Sequence, residues 1–102
     1  MAQLVAVYRT PKDAIAFDAY YASTHLPLAK TIPGLLKYEL NDGPVAGPDE
    51  GNGVHLVAIL HFANMATIHA ALASPEGQAA AADLGNFATG GAELLMFDTK
   101  EV

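Results

Sequence analysis

The length, composition and charge of this chain limit what it can do. Its 102 residues, of which 52% are hydrophobic, predict a single domain over residues 1–102 with a hydrophobic core. A formal net charge of -6, with only five Lys and Arg, leaves no basic surface for phosphates, so neither nucleic acid nor an anionic membrane is expected as a partner. The lack of cysteine excludes disulfides, thiolate metal ligands and a cysteine nucleophile.

The first four residues contain neither a basic region nor a long apolar run. A signal peptide needs both features, and a membrane span needs about 20 apolar residues. The sequence therefore predicts a protein of the cytoplasm with no membrane partner.

A strand followed by a helix is predicted at the start of the chain. Residues 4–8 are rich in β-branched and aromatic side chains, which is typical of a strand. Thr10 then supplies an N-cap, Pro11 a first helical residue and Asp13 an early acid, so a helix is expected to begin here. At about 100° per residue, the core-facing side of that helix carries Phe17, Tyr21, Thr24 and Leu28.

His25 lies at the edge of this helix, close to a proline. Pro27 cannot donate a hydrogen bond to the carbonyl of Ser23 and disfavours helical geometry at Leu26, so we expect the backbone to break here. Residues 33–34, a Pro-Gly pair, are expected to end the helix. A histidine at a break in an apolar surface is well placed to bind a ligand or transfer a proton.

The remaining strands complete a recognisable order. Two are predicted at residues 35–40 and 54–62 and a last one at residues 92–97. Residues 41–53, with four glycines and two prolines, form a loop that we expect to be mobile and to adjust access to the pocket or the dimer rim. The order βαββαβ predicts a ferredoxin-like α+β fold with a four-stranded antiparallel sheet.

Two helical segments are predicted between the last two strands. Asn64 caps the first, whose apolar stripe is expected to contain Met65, Ile68, His69 and Leu72. The second restarts at residues 74–76, runs toward Leu84 and stops at Gly85.

The third strand is apolar on both of its faces. Alternation places Leu56, Ala58, Leu60 and Phe62 on one face and His55, Val57, Ile59 and His61 on the other. Helices cover only one face in this topology, and a solvated second face should be polar. We therefore expect the second face to pack on another copy of the chain, which gives a homodimer that closes a two-chain barrel.

Several segments together resemble one protein family. In chain order they are residues 20–35, His55-Leu56-Val57-Ala58, Ser74-Pro75-Glu76-Gly77 and Ala82-Asp83-Leu84-Gly85-Asn86-Phe87-Ala88. Their order and spacing are similar to those of the EthD family of small proteins, within the dimeric α+β barrel superfamily. The resemblance covers nearly the whole chain and implies a ferredoxin-like fold, dimers and a link to the oxidative breakdown of ethers beside cytochrome P450 systems. Related barrels include monooxygenases without a metal and lactone isomerases, which are analogies of fold alone.

His25 is the residue best suited to chemistry. Imidazole titrates near neutrality, so His25 is a candidate acid, base or hydrogen-bond donor to a carbonyl; alternatively it caps the carbonyls freed by Pro27. Asp18 lies about two helical turns away, roughly 10 Å, which is too far to orient it. The resemblance indicates Asp83 as its partner and second catalytic residue, the alternative being a solvated residue or a cap for the loop at Gly85.

The other histidines do not predict a metal site. His55 and His61 would lie about 20 Å apart along one strand, too far for one ion, and His69 has no carboxylate cluster near it. We expect no metal and no cofactor, and we place His55 and His61 on the second sheet face or its rim. A substrate pocket between the first helix and the sheet is expected to be lined by Tyr8, Tyr21, Leu28, Phe62 and Phe87.

Two functions fit these features. One is a cofactor-independent enzyme, an oxidoreductase or isomerase, that acts on a small, mostly apolar oxygenated compound with His25 as acid or base. The other is a non-catalytic binding or accessory protein for a cytochrome P450-type oxygenase system. A catalytic site should pair His25 with a buried polar partner, whereas a carrier should have a closed apolar cavity without one.

Overall fold

Four strands and four helices follow one another within residues 1–49 and 51–102, which the computed structural model describes. They are β1 (Ala2–Arg9), α1 (Ala14–Tyr20), α2 (Leu26–Ala29), β2 (Lys37–Leu40), β3 (Val54–Phe62), α3 (Met65–Ala73), α4 (Pro75–Asp83) and β4 (Ala92–Asp98). A π turn at Tyr21–His25 joins α1 to α2, and a 3₁₀ turn at Leu84–Asn86 follows α4. The antiparallel sheet has the order β2-β3-β1-β4, which confirms the predicted ferredoxin-like fold.

The core lies between the helices and one face of the sheet. Along the central strand β1, Leu4, Ala6 and Tyr8 are buried and alternate with half-buried residues on the other face. The Tyr8 ring meets three other aromatic rings at centroid distances of 5.5 Å, 5.7 Å and 5.6 Å, which belong to Phe17, Tyr21 and Phe87. These four rings form an aromatic cluster that anchors α1 and the π turn on the sheet.

The first helix begins later than the sequence predicts. Asp13 is its N-cap, with a carboxylate oxygen that accepts a hydrogen bond from the Ala16 N–H at 3.1 Å. The expected cap, Thr10, instead donates its N–H to the Gly53 carbonyl, and the Lys12 N–H donates to Thr89 Oγ1. The predicted start at Thr10 is therefore wrong, because tertiary hydrogen bonds hold this segment as a turn.

The expected break at Pro27 takes a different form. Leu26 keeps helical angles, φ -60° and ψ -49°, so the prediction that it leaves helical geometry is wrong. The chain instead widens into the π turn, where the Leu26 N–H donates to the Tyr21 carbonyl five residues earlier. The extra residue shifts the register of the helix, so that His25 is buried and Thr24 is exposed. The helix also ends at Ala29, ahead of the predicted Pro-Gly stop.

A bulge between β1 and β3 reverses the direction predicted for His55. Tyr8 pairs with Leu56 and Arg9 with Val54, which leaves His55 as the extra residue. Its ring packs edge-on against Phe17 at 4.9 Å, on the helix side of the sheet. The prediction that His55 shares the outer face with Val57 is therefore wrong.

Two smaller differences concern single elements. The second strand begins at Lys37 instead of residue 35. In α3, whose cap at Asn64 is confirmed, His69 is exposed and Ala71 takes its place in the buried stripe. Residues 41–53 are irregular as predicted in the part that the structure describes, although Glu50 lies outside the described residues, and the mobility of this loop stays a prediction.

No helix of the described residues is long and apolar enough to cross a membrane.

The outer face of the sheet is largely apolar. It carries Val5, Val7, Val57, Ile59, Leu95 and Phe97, and the last two are 52% and 44% exposed. On the same face, near the start of β1, Gln3 Oε1 is enclosed without a hydrogen-bond partner among the described residues. An apolar face with an unsatisfied amide oxygen fits contact with a second copy, as the sequence predicts.

We predict that Val57→Lys dissociates a homodimer formed through this face. The substitution places a charge at the centre of the apolar contact, where it has no partner. Sedimentation at micromolar concentration should give a dimer mass for the wild type and a monomer mass for the variant. Ile15→Lys is the matched control, because Ile15 is 83% exposed on the first helix, and it should remain dimeric. A wild-type monomer would contradict the dimer.

Candidate functional site

The structure brings His25 and Asp83 together in the interior. His25 Nδ1 lies 2.9 Å from Asp83 Oδ2, although the two residues are 58 positions apart in the chain. The π turn supplies His25, and Asp83 is the last residue of α4. Their exposed fractions are only 4% and 7%, so both partners are removed from solvent. We call this pair the His25–Asp83 dyad.

The second carboxylate oxygen of Asp83 accepts two further hydrogen bonds. The Tyr20 hydroxyl donates to Oδ1 at 2.6 Å and the Asn86 side-chain amide donates to the same atom at 2.9 Å. Neither Tyr20 nor Asn86 was predicted from the sequence to act in the site. Asn86 follows Asp83 by three residues, and side chains three residues apart lie one above the other in a 3₁₀ turn. This spacing was the sequence signal that could have indicated contact between Asn86 and Asp83.

These contacts keep Asp83 ionised. Burial raises the pKa of its carboxyl, but hydrogen bonds from Tyr20, Asn86 and His25 outweigh burial and hold that pKa below its ordinary value. The hydrogen bond to Asp83 also raises the pKa of the Tyr20 hydroxyl, which therefore remains a donor. An ionised carboxylate only accepts hydrogen bonds, so neutral His25 must carry its proton on Nδ1 and leave Nε2 as a free base.

The free nitrogen of His25 retains access to open space. Nε2 makes no protein hydrogen bond among the described residues. Within residues 1–49 and 51–102, the only fully enclosed side-chain N or O atom that lacks a hydrogen-bond partner in a residue that is not exposed is Gln3 Oε1. Since Nε2 also lacks a partner but is not such an atom, it must have some accessible surface. His25 itself forms part of the wall of a cavity. His25 therefore combines a free, accessible Nε2 with a position in the cavity wall.

This cavity lies between the helices and the helix side of the sheet. It encloses about 50 Å³ and is lined mainly by apolar residues, including Leu4, Ala6, Ala29, Ile32, Leu60, Leu72, Ala80, Leu84 and Leu94. His25, Tyr8 and Tyr38 supply its polar side chains. Because Ala81 and Leu94 are lining residues that are also exposed, the mouth of the cavity lies beside them. The apolar lining suits a mostly apolar compound, and because typical ligand pockets are several times larger than this cavity, the compound must be small or the walls must move apart to admit it.

Tyrosine hydroxyls complete the polar end of the site. The Tyr21 and Tyr38 hydroxyls share a hydrogen bond of 2.6 Å. Burial raises the pKa of Tyr8, Tyr21 and Tyr38, so all three stay protonated at neutral pH. Tyr8 and Tyr38 can therefore donate hydrogen bonds to an oxygen atom within the cavity.

The residues predicted to line a pocket occupy different positions around this site. Tyr8 lines the cavity, and Tyr21 lies behind it through its bond to Tyr38. The Phe87 ring packs against His25 at 4.7 Å. Phe62 fills the core, and half-buried Leu28 is not among the lining residues.

The remaining histidines lie away from the dyad. His55 Nε2 is 2.7 Å from Asp18, and His61 Nε2 is 2.6 Å from Glu39. Each of these histidines thus meets a single carboxylate. Within residues 1–49 and 51–102, no three histidine, aspartate or glutamate side chains gather as they would around a metal ion.

Comparison with known proteins assigns a family. The model of the EthD domain matches residues 9–91, which is most of the chain. The chain belongs to the EthD family. The EthD match includes His25, Asp83 and both additional donors to Asp83.

Relatives of this EthD protein share its length and fold. An uncharacterized 11.0 kDa protein from the thcB-thcC intergenic region of Rhodococcus erythropolis is 38% identical, over 100% of this chain and 98% of that protein. The crystal structure of an EthD family protein from Bacillus halodurans has a TM-score of 0.89 and 29% identity, covering 98% of this chain and 99% of that one. SnoaB, a cofactor-independent oxygenase from Streptomyces nogalater, has a TM-score of 0.67 and 18% identity, covering 99% of this chain and 94% of that one, and shares the fold alone.

We predict that Asp83 makes the stability of this EthD protein depend on acid pH. Because the pKa of Asp83 is lower in the folded state, its ionisation stabilises the fold at pH values above the ordinary pKa of 3.8. This stabilisation disappears as the pH falls through the folded-state pKa. Asp83→Asn should lower the free energy of unfolding by about 2 kcal/mol at pH 6, the scale for hydrogen bonds to a charged group. Urea unfolding should show this difference shrinking below about pH 4.

The control for this measurement is Asp42→Asn, which changes an exposed loop carboxylate. Its unfolding free energy should follow that of the wild type across the same pH range. A difference between wild type and Asp83→Asn that grows as the pH falls toward 3 would contradict the assignment of Asp83 as an ionised acceptor.

Proposed function

We propose that this EthD protein is a cofactor-independent acid/base enzyme, of oxidoreductase or isomerase type, that acts on a small, mostly apolar oxygenated compound. The observation that carries the proposal is the 2.9 Å contact between His25 Nδ1 and Asp83 Oδ2 at the wall of the cavity. This contact holds the proton on Nδ1 and directs the basic nitrogen to the ligand space.

The chemistry assigns one role to each polar group of the site. His25 Nε2 removes a proton from a carbon or hydroxyl of the bound compound, and the imidazolium that forms is stabilised by the ionised Asp83. Tyr8 or Tyr38 donates a hydrogen bond to the substrate oxygen, where negative charge develops. Return of the proton from Nε2 to the substrate restores neutral His25. This cycle is complete for an isomerisation, whereas an oxidation also needs an electron acceptor such as dioxygen to take up the electrons of the deprotonated compound.

The environment of the cavity supports an apolar substrate with one oxygen function. Its wall is built mainly from alanine, leucine and isoleucine side chains, which offer no partner to a charged group. The EthD family match and its implied link to ether breakdown favour ethers and tertiary alcohols as test compounds, and lactones and aromatic ketones extend the screen to other apolar compounds with an oxygen function.

The alternative is a binding or accessory protein for an oxygenase system. A carrier of an apolar compound needs a cavity but has no need for a buried charge beside it. A buried carboxylate is costly, and in this chain three donors are arranged around it. The paired His25 therefore favours the enzyme.

We predict that His25→Gln strongly lowers turnover but leaves the fold intact. The glutamine amide can still donate to Asp83, so the buried carboxylate keeps a partner while the base is lost. A thermal-shift screen of the four compound classes identifies ligands that raise the Tm of the wild type. For such a ligand, turnover by the variant should be lower by roughly a hundredfold or more.

His69→Gln is the matched control, because His69 is an exposed histidine outside the site. It should retain both the ligand-induced rise in Tm and the turnover of the wild type. A ligand that stabilises all three proteins without being converted would support the carrier and overturn the acid/base proposal. A ligand that is converted equally by His25→Gln would also overturn it.

A further inference from the structure

We infer that Tyr20 and Asn86 are positioning residues that fix the tautomer of His25 by holding the Asp83 carboxylate in one orientation. The inference rests on the proposed function, because it explains how the basic nitrogen is kept toward the ligand. Neither residue lines the ligand cavity, so each acts through Asp83.

The two carboxylate oxygens of Asp83 have separate tasks. Oδ1 accepts from the Tyr20 hydroxyl at 2.6 Å and from the Asn86 amide at 2.9 Å. Oδ2 is left for His25 Nδ1, also at 2.9 Å. Two donors on one oxygen oppose rotation of the carboxylate, so its other oxygen stays directed at the imidazole.

The π turn is what places Tyr20 and His25 beside the same carboxylate. In an α-helix, residues five apart are separated by about 500° of rotation and therefore lie roughly 140° from each other. A π turn closes its hydrogen bonds over five residues, which brings such a pair toward one side of the helix. The extra residue of the π turn thus brings Tyr20 and His25, which would lie on different faces of an α-helix, close enough for both to contact Asp83.

The 3₁₀ turn does the same for Asn86. Asp83 precedes this turn and Asn86 ends it, three residues later, which is one full turn of 3₁₀ geometry. The next residue, Phe87, packs its ring against those of His25 at 4.7 Å and Tyr20 at 5.4 Å. One short segment therefore supplies a donor to the carboxylate and a hydrophobic wall for the two residues that contact it.

The test is the tautomer of His25 in the ligand-free protein. Protein labelled with ¹⁵N-histidine is measured by NMR at pH 8, where imidazole is ordinarily neutral, and the His25 signals are assigned by their loss in His25→Gln. The wild type should show a protonated Nδ1 and an unprotonated Nε2. Tyr20→Phe and Asn86→Ala should each lower the ratio of this tautomer to the other by at least about threefold, and both together by about tenfold.

Tyr21→Phe is the matched control, because it removes the neighbouring tyrosine hydroxyl, which bonds to Tyr38 instead of Asp83. It should leave the tautomer ratio unchanged. In samples of the same proteins labelled with ¹³C-aspartate, the pKa of Asp83 from carboxyl shifts should rise in Tyr20→Phe and Asn86→Ala, because each loses a donor that lowers it.

Two results would overturn the inference. One is an unchanged tautomer ratio in the double variant, even if the pKa of Asp83 rises, because the donors would then tune the charge without positioning it. The other is an equal change in Tyr21→Phe, which would reveal general loosening of the site. The variants can change the tautomer ratio of His25 even if the compound screen finds no ligand. That result would uphold the positioning role while the proposed function fails, so the two claims are tested separately.

Discussion

The buried carboxylate of Asp83 is the constraint on which the rest of the site depends. A charge in the interior is tolerated only when donors surround it, because an unpaired one costs several kcal/mol. Here the donors come from the first helical region, through Tyr20 and His25, and from the 3₁₀ turn after α4. Satisfying one charge therefore ties the first helical region to the segment around Asp83 on the helix side of the sheet. It also leaves His25 Nε2 without a hydrogen-bond partner among the described residues.

The irregular parts of the backbone serve this arrangement. A π turn and a 3₁₀ turn have poorer hydrogen-bond geometry than an α-helix, yet both occur where side chains must reach Asp83. The β-bulge at His55 similarly turns that ring toward the aromatic cluster. The regular elements build the scaffold, whereas the departures from regularity direct the polar side chains.

Local patterns in the sequence predicted most of the fold. Strand alternation located β3 to the residue, and Asn64 was identifiable as a cap because its side chain acts within a few positions. The π turn was not predictable. Pro27 indicates that the regular α-helical hydrogen bonding must be interrupted near it, but it does not determine whether the helix breaks, kinks or widens. His25 stood out from its own neighbourhood, whereas its pairing with Asp83 spans 58 positions and was indicated only by the family resemblance. Tyr20 and Asn86 were missed because their role depends on that long-range contact.

The central claim is that the dyad presents a basic nitrogen to a ligand in the cavity. A crystal structure of the protein with a compound that raises its Tm would test this most directly. We expect that His25 Nδ1 remains within hydrogen-bond distance of Asp83 Oδ2, and that a polar atom or an acidic carbon of the ligand lies within about 3.5 Å of His25 Nε2. A ligand bound on the outer sheet face, or an Asp83 carboxylate turned away from His25 in the complex, would contradict it.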